Sequence, residues 1–381
     1  MAGRKRKAAF IIIAYAEELT AMPHTIAEKI RKWSRGYEPP RELDLDLEKA
    51  SDDELEAALE VADTYYPSKY ERLESQIDYL AMKLYSEYEV TKYPPYLEFQ
   101  YRLRDWLDSA PSEDDQKILF ELVPRLFFIG NKEYLSLYQS ALNGPVARWL
   151  ISQLALDINK NDAQSRLQEA LSSTWFCPIT DSMQISKFYH VNQIEGADLR
   201  PDWRTLDSFC GSHGKIVKHM KSQSPPLERI VLLEDFVATG SQMKSAVEFA
   251  VNLPDGCPVL LCPLVICPSG YTVAKQLEKD YVNLKFEPAL MLDQSIILPS
   301  SQIPHEDSFI SRLREVILRT YSLVVGSNPK PLYGPFGFGE PAEGGGLLLI
   351  MYTNCPDNTL PMIHHASDSP WNPIFPRSSR L

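Results

Sequence analysis

Residues 231–243 read VLLEDFVATGSQM, and this stretch decides the fold into which the rest of the chain must fit. An aliphatic run over residues 230–233 predicts a buried strand, and a helical pattern begins directly afterwards, near Ser241. Between them stand two adjacent acids, Glu234 and Asp235. Neighbouring carboxylates at a strand end repel each other, so we expect a binding partner to compensate for their charge.

Beyond about residue 170, short apolar segments alternate with helical patterns. The apolar segments read ERIVLLED, CPVLLCPLVIC, NLKFEPALML and GLLLIMYTN, and the helical ones include GSQMKSAVEFAVNL. Uniformly apolar strands that alternate with helices are buried on both faces, as in a parallel sheet covered by helices. We therefore predict an α/β fold with a mostly parallel sheet over residues 166–381, including a C-terminal region rich in Gly, Pro and Asn.

Residues 1–165 have a different pattern, which predicts an α-helical domain. Ser51 stands three residues before a glutamate, the spacing of a capping box, and begins a helical repeat. Ser112 begins another helix with a run of acids, and Pro124 should end or kink it. Gly144 is expected to cap the end of the next helix. Such a domain would either bind a protein partner or pack as a lid.

The charge of the chain limits its partners. The 381 residues carry a formal net charge of −12, and the long-range field of such a protein repels nucleic acids and anionic membranes. No segment is long and apolar enough in the sequence to predict a transmembrane helix. We therefore expect neither a nucleic-acid nor a membrane partner.

The cysteines indicate a reducing compartment. None forms a CxxC pair, and several lie in apolar runs, which is typical of buried thiols in a cytoplasmic protein. They are Cys177, Cys210, Cys257, Cys262, Cys267 and Cys355. A basic stretch at residues 4–7, followed by apolar residues 8–16, has the layout of a short secretory signal. The cysteines favour the alternative, a first helix or strand with a solvated basic lead.

The turn after the acids has the chemistry of a phosphate site. Open α/β sheets bind ligands at the carboxyl ends of their strands, and the N-terminus of a helix attracts anions. Gly240 allows close approach of the backbone, and the hydroxyls of Thr239 and Ser241 can donate hydrogen bonds to phosphate oxygens. Met243 stands where a nucleotide P-loop requires glycine. Carboxylates for hydroxyl groups beside a phosphate cradle predict a sugar phosphate ligand.

This stretch resembles the phosphoribosyl-diphosphate motif of type I phosphoribosyltransferases, in which aliphatic residues, two acids and an apolar pair precede Thr-Gly. The resemblance implies that Glu234 and Asp235 contact the ribose hydroxyls. It also implies that the 5′-phosphate is held by the following turn, namely Val237, Ala238, Thr239, Gly240 and Ser241. Ala238 departs from the pattern of members that carry a carboxylate there, which removes a candidate general base. Gln242 stands where a second hydroxyl residue is common.

The chain as a whole looks like the phosphoribosyltransferase-like proteins of bacterial conflict or anti-phage operons, the PRTase-CE-like branch. The features that carry this resemblance are the EDFVATGSQ form of the turn, the helical first half and the closing block YTNCPDNTLPMIHHASDSPWNPIFPR. In that branch enzymatic activity is an inference, so the resemblance assigns no catalytic residue.

Other polar segments are weaker candidates. Asp181, Ser182 and Lys187 can bind a diphosphate with Mg²⁺, although a polar loop is the simpler interpretation. The residues that offer further positive charge for a diphosphate are Arg200, Arg204, Lys215 and Lys218. The glycine-rich residues 334–346 form either a mobile lid or a plain loop. His364 and His365 lack a third ligand, so we expect no zinc site.

Three functions remain open on this basis. The protein is an enzyme, either a phosphoribosyltransferase or a ribosyl-diphosphate hydrolase, with Mg²⁺ as its expected cofactor. Alternatively, it is an inactive sensor of nucleotides or ribose phosphates that regulates a partner. In the third hypothesis it is a structural or partner-binding protein whose acids are merely solvated.

Overall fold

The computed structural model describes the chain in six stretches. They are residues 69–92, 95–96, 98–196, 213–326, 333–338 and 345–378. The helix predicted to begin at Ser51, the leader at residues 4–16 and Cys210 lie outside them.

Helices make up most of the described residues before position 165 and also separate the later strands. In chain order they are α1 (Lys69–Lys83), α2 (Phe99–Asp108), α3 (Glu113–Leu122), α4 (Asn131–Ala141), α5 (Ala147–Gln153), α6 (Ala163–Ser172), α7 (Ile185–Val191), α8 (His213–Ser222), α9 (Ser241–Val251), α10 (Pro268–Asp280), α11 (Ser308–Val325) and α12 (Pro361–His364).

The strands are short except for the two at the centre of the sheet. They are β1 (Phe127–Ile129), β2 (Thr174–Pro178), β3 (Arg229–Val237), β4 (Val259–Ile266), β5 (Leu284–Phe286), β6 (Leu290–Met291), β7 (Ile297–Pro299), β8 (Tyr333–Gly334), β9 (Gly337–Phe338), β10 (Gly345–Leu347) and β11 (Leu349–Met351).

The main sheet is parallel, which confirms the predicted α/β class. Its order is β2-β3-β4, and both β5 and β6 pair with the far edge of β4. Leu233 pairs with Pro178 on one side and with Cys262 on the other. The carboxyl ends of these strands therefore lie at one edge, where β2 ends earlier than β3.

Hydrophobic clusters cover both faces of this sheet. Ile230 and Leu232 of β3 belong to a cluster with α8, α9 and α10, whereas Val231 and Leu233 belong to a second cluster. All eight residues of β4 are buried, which explains their uniformly apolar sequence. The second cluster also contains side chains of the helices before residue 165, so buried packing is continuous across that position.

The C-terminal block is anchored on the early helices. Strand β1 pairs in parallel with β11, so a segment before residue 165 shares a small sheet with the end of the chain. The indole Nε1 of Trp106 donates to the carbonyl of Met362 (2.8 Å), and the guanidinium Nε of Arg102 donates to the carbonyl of Ile374 (3.0 Å). The hydroxyl of Tyr88 donates to the carbonyl of Pro376 (2.9 Å). The Pro- and Asn-rich segment therefore completes the core.

Some helix boundaries follow the sequence and others do not. The hydroxyl of Ser112 accepts from the backbone N of Asp115 (3.2 Å), and α3 ends before Pro124, as predicted. The cap predicted at Gly144 is wrong, because the chain continues through a π-helical turn (Leu142–Val146) into α5. Pro145 lies inside this turn and has no N–H to donate, so a wider turn accommodates it.

None of the helices in the described ranges combines the length and the apolar character that crossing a bilayer requires. The described cysteines are buried thiols. Burial raises the pKa of Cys257 to about 11 and that of Cys355 to about 12, so these thiols are poor nucleophiles.

His364 makes the stability of the C-terminal block dependent on pH. Burial, with the nearby His365 as a smaller cause, lowers the pKa of this histidine to about 4, and its Nε2 lies 3.1 Å from the carbonyl of Thr359. A depressed histidine pKa favours the fold above the ordinary value of about 6.5, and this contribution is lost as the pH falls. Relative to a His364→Gln variant, we expect the protein to lose about 2 kcal/mol of unfolding free energy between about pH 7 and about pH 5. Urea unfolding at several pH values measures this difference, and parallel profiles would contradict it.

Candidate functional site

The two acids lie inside strand β3, at the point where its neighbour β2 has ended. Strand β3 continues to Val237 and pairs with β4 beyond the acids, with Glu234 opposite Pro263. The sequence-based end of the strand at residue 233 is therefore wrong on the β4 side, where apolar residues extend the pairing. On the β2 side the pairing stops at Pro178, and the loop at residues 179–183 faces the acids.

Hydroxyl groups of that loop contact both carboxylates. Thr180 donates its backbone N–H to Oε2 of Glu234 (2.9 Å) and its hydroxyl to Oε1 (2.5 Å). Ser182 donates its hydroxyl to Oδ1 of Asp235 (2.7 Å), which also accepts the backbone N–H of Phe236 (2.9 Å). The two hydroxyl oxygens are themselves 2.6 Å apart. The acids, each only 4% exposed, thus belong to one continuous chain of oxygen contacts.

The environment of the acid pair favours the protonated form of Glu234. Burial and the charge of Asp235 raise the pKa of Glu234 well above its ordinary value, although the hydrogen bonds from Thr180 oppose this shift. This shift opposes the repulsion inferred from the sequence, because a neutral Glu234 does not repel the Asp235 carboxylate.

The turn after β3 leads directly into α9, as the sequence predicts. Gly240 has a φ of +87°, a left-handed conformation that glycine adopts without strain, and it precedes the first helical residue. Among the described residues no side chain caps this helix, so its first backbone N–H groups are available to an anion. The hydroxyls of Thr239 and Ser241 lie 3.3 Å apart at the exposed side of the turn.

Helix α10 holds the turn in place from the neighbouring strand. The carbonyl of Ala238 accepts the backbone N–H of Gly270 (2.9 Å) and the hydroxyl of Ser269 (2.9 Å). The carbonyl of Val237 accepts the backbone N–H of Cys267 (2.9 Å). A Cβ on Gly270 would lie 2.8 Å from the carbonyl oxygen of Ala238 and 2.7 Å from a methyl group of Val237. Only glycine allows α10 to approach the turn this closely.

Three tyrosines and a lysine form one cluster, in which the ring centroid of Tyr134 lies 6.3 Å from that of Tyr138 and 5.3 Å from that of Tyr352. Burial, followed by the charge of Asp235, raises the pKa of Tyr134. The Asp235 charge also contributes to the raised pKa of Tyr138 and Tyr352, for which burial is again the main cause. Lys187 of α7 donates from Nζ to the hydroxyl of Tyr352 (3.0 Å). This cluster thus combines side chains of α4, of α7 and of the residue after β11.

The remaining candidates are distributed as follows. Asp181 is exposed between the two hydroxyl residues, and its charge contributes to the raised pKa of Glu234. Lys215 and Lys218 are exposed on α8. Arg200 and Arg204 lie outside the described residues, as do positions 339–344 of the glycine-rich stretch, whose start forms the β8–β9 hairpin. In the described part of the chain, no three His, Cys, Asp or Glu side chains are placed to hold a metal ion.

Sequence reasoning missed several residues of this site. Thr180 stands directly before Asp181, but nothing in a single strand-to-loop segment indicates contact with acids 54 positions later. Tyr134 and Tyr138 have the i, i+4 spacing of an ordinary core stripe. Tyr352 begins the quoted closing block, which is the one signal that could have identified it.

Comparison with known proteins gives one match. The model of a family described as PRTase-CE matches residues 103–377, which is more than half of the chain and includes the acids, the loop that contacts them and the closing block. No curated protein and no solved structure matches the chain.

Proposed function

The chain belongs to the PRTase-CE family, and from this premise we propose that it binds a ribose phosphate, such as phosphoribosyl diphosphate, at the end of β3. One observation carries the proposal: a buried acid pair lies at the carboxyl edge of a parallel sheet, four residues before a turn that opens an uncapped helix. The chain is phosphoribosyltransferase-like, and this is the geometry that a ribose with a 5′-phosphate requires.

Each part of the ligand has a proposed contact. Glu234 and Asp235 would accept hydrogen bonds from the ribose hydroxyls. The 5′-phosphate would accept hydrogen bonds from backbone N–H groups of the turn at residues 238–241. A diphosphate on the anomeric carbon would lie towards Lys187, a point charge on α7 that donates to the hydroxyl of Tyr352.

The residues present fit Mg²⁺ only together with a ligand. Mg²⁺ keeps several waters and typically takes one or two carboxylates plus substrate phosphates, so it needs no cluster of three protein ligands. Asp181, which is exposed beside the acid pair, is the residue that would contact such an ion. The bound ion would neutralise charge on a departing diphosphate. The surrounding tyrosines would exclude water from the ribose side of the site.

A second candidate function is a sensor that binds the same ligand without turnover. Two observations favour it: Ala238 supplies no general base, and hydroxyls of the protein itself already contact the acids. In this version, occupancy would be transmitted to the early helices through Tyr134 and Tyr352, and a protein partner would read it there. For either version we propose a cytoplasmic protein with a role in bacterial defence, as the resemblance to conflict-system proteins suggests.

Calorimetry and turnover together test these proposals. We expect phosphoribosyl diphosphate with Mg²⁺ to bind and to raise the melting temperature, because a ligand that binds only the folded state stabilises it. At a concentration of about 100 times Kd, the expected stabilisation is about 2.7 kcal/mol. Release of diphosphate would indicate an enzyme, and stable binding without release would indicate a sensor. The absence of binding by both phosphoribosyl diphosphate and ribose 5-phosphate would refute the site.

A further inference from the structure

The two hydroxyl groups on the acid pair have the arrangement of a sugar diol. The Thr180 and Ser182 oxygens are 2.6 Å apart; one contacts Glu234 at 2.5 Å and the other contacts Asp235 at 2.7 Å. The two hydroxyls of a cis-diol on adjacent carbons also lie about 2.7 Å apart, within the usual range of O–H···O contacts. A ribose that offers its 2′ and 3′ hydroxyls to the same two carboxylates would place its oxygens where these two side chains now lie.

We propose that Thr180 and Ser182 occupy the diol subsite in place of the ligand, and that a ligand with a free vicinal diol binds by displacing them. This inference rests on the proposed function. It adds that the site selects ligands with a free vicinal diol, and that the loop hydroxyls must leave the acids before such a ligand binds. Because the protein's own hydroxyls compete for the acids, only a ligand with both hydroxyls can replace all the contacts that are lost. A 2-deoxyribose ligand would leave one carboxylate without its partner.

The loop is anchored at both ends and is more exposed in its middle. The backbone N–H of Ile179 donates to the carbonyl of Leu233 (2.8 Å), directly beyond Pro178, the last paired residue of β2. At the other end, Met183 is buried in the core, directly before α7. Between these anchors, Thr180 and Ser182 are half-buried and Asp181 is exposed. Displacement of the hydroxyls would therefore shift Asp181 at the mouth of the site.

Binding by variants without the competing hydroxyls tests the proposal. In the full chain, a Thr180→Val/Ser182→Ala double variant should bind ribose 5-phosphate about tenfold more tightly, because it loses the internal competitor. Its affinity for 2-deoxyribose 5-phosphate should rise by a similar factor, because both ligands displace the same two hydroxyls, and the preference for ribose should persist. Thr320→Val, which removes a buried hydroxyl that bonds within α11, is the matched control and should alter neither affinity. Calorimetry measures all three proteins against both ligands.

Unchanged or weaker binding of ribose 5-phosphate by the double variant would overturn the proposal while leaving the ribose phosphate site in place. Loss of binding by the parent protein and by the variant, to both ligands, would overturn the site and this inference together. Hydrogen exchange on the parent protein gives a measurement that does not depend on folding of the variant. Ligand should accelerate exchange of the Thr180 amide, which now donates to Glu234. Slower exchange of this amide on ligand binding would also contradict displacement.

Discussion

Replacing both acids by alanine (Glu234→Ala/Asp235→Ala) should abolish binding of ribose 5-phosphate, with a loss of at least about 100-fold in affinity. The double change removes the acceptors for both ribose hydroxyls, and each hydrogen bond contributes about 0.5–1.5 kcal/mol, or about 1.5–3 kcal/mol where the acceptor is charged. Calorimetry and the ligand-induced shift of the melting temperature both measure this loss. The matched control is Glu113→Ala/Asp114→Ala. It also removes two carboxylates that are neighbours in sequence, but these two are exposed and lie in the first turn of α3, not in β3.

The single variant Glu234→Gln tests how the acid pair affects the stability of the fold, independently of ligand binding. An acid whose pKa is raised on folding stabilises the fold below its ordinary pKa, and this contribution is lost as the pH rises towards the folded value. Glutamine does not titrate, and its amide oxygen can still accept a hydrogen bond from Thr180. The stability of this variant relative to the parent should therefore increase with pH. Retained binding of ribose 5-phosphate by the double alanine variant would contradict the proposed role of the acids. A stability of Glu234→Gln relative to the parent that falls with pH would contradict the raised pKa of Glu234.

Gly270→Ala should weaken binding of ribose 5-phosphate by about tenfold or more and lower the unfolding free energy by about 1–3 kcal/mol. The added methyl group would overlap the carbonyl oxygen of Ala238 and the side chain of Val237, so the phosphate turn must shift. Small displacements of a positioned binding group are costly to affinity because the remaining hydrogen bonds lose their geometry.

Gly214→Ala provides the control for this second change. Gly214 also lies in a helix, but a Cβ there would have no neighbour within 4 Å. The control should be neutral or slightly stabilising, since alanine has a higher helix propensity than glycine. Denaturant unfolding and calorimetry should therefore distinguish the two variants. An equal, small effect of both substitutions would mean that α10 does not fix the turn.

The strand–turn–helix unit was predictable from residues 230–251 because all of its determinants are local. Aliphatic residues, a glycine that allows positive φ and a helical repeat occur in sequence order. Because these determinants are local, they did not predict strand β1 or the continuation of the helix beyond Gly144. Strand β1 lies in a short apolar run after a helix, where helix and strand patterns are difficult to distinguish. Pro145 overrode the capping preference of Gly144.

The environment of the acids was not predictable in this way. Their partners come from a loop more than fifty residues earlier, from α4 and from the residue after β11, and topology alone brings these together. A single sequence records which residues are acids and hydroxyls but not which of them meet. The raised pKa of Glu234 depends mainly on burial in the folded protein, so the sequence indicated a repelling pair where the fold favours a neutral Glu234.

The pairing of β1 with β11 has a consequence for synthesis of the protein. Phe127 leaves the ribosome long before Leu349, the residue beside which it pairs. Contacts between distant parts of a chain form slowly and leave apolar surface exposed until both parts are present. Nascent chains that stop before β11 should therefore display Phe128 and its buried neighbours to chaperones and proteases, so that only nearly complete translation products escape quality control.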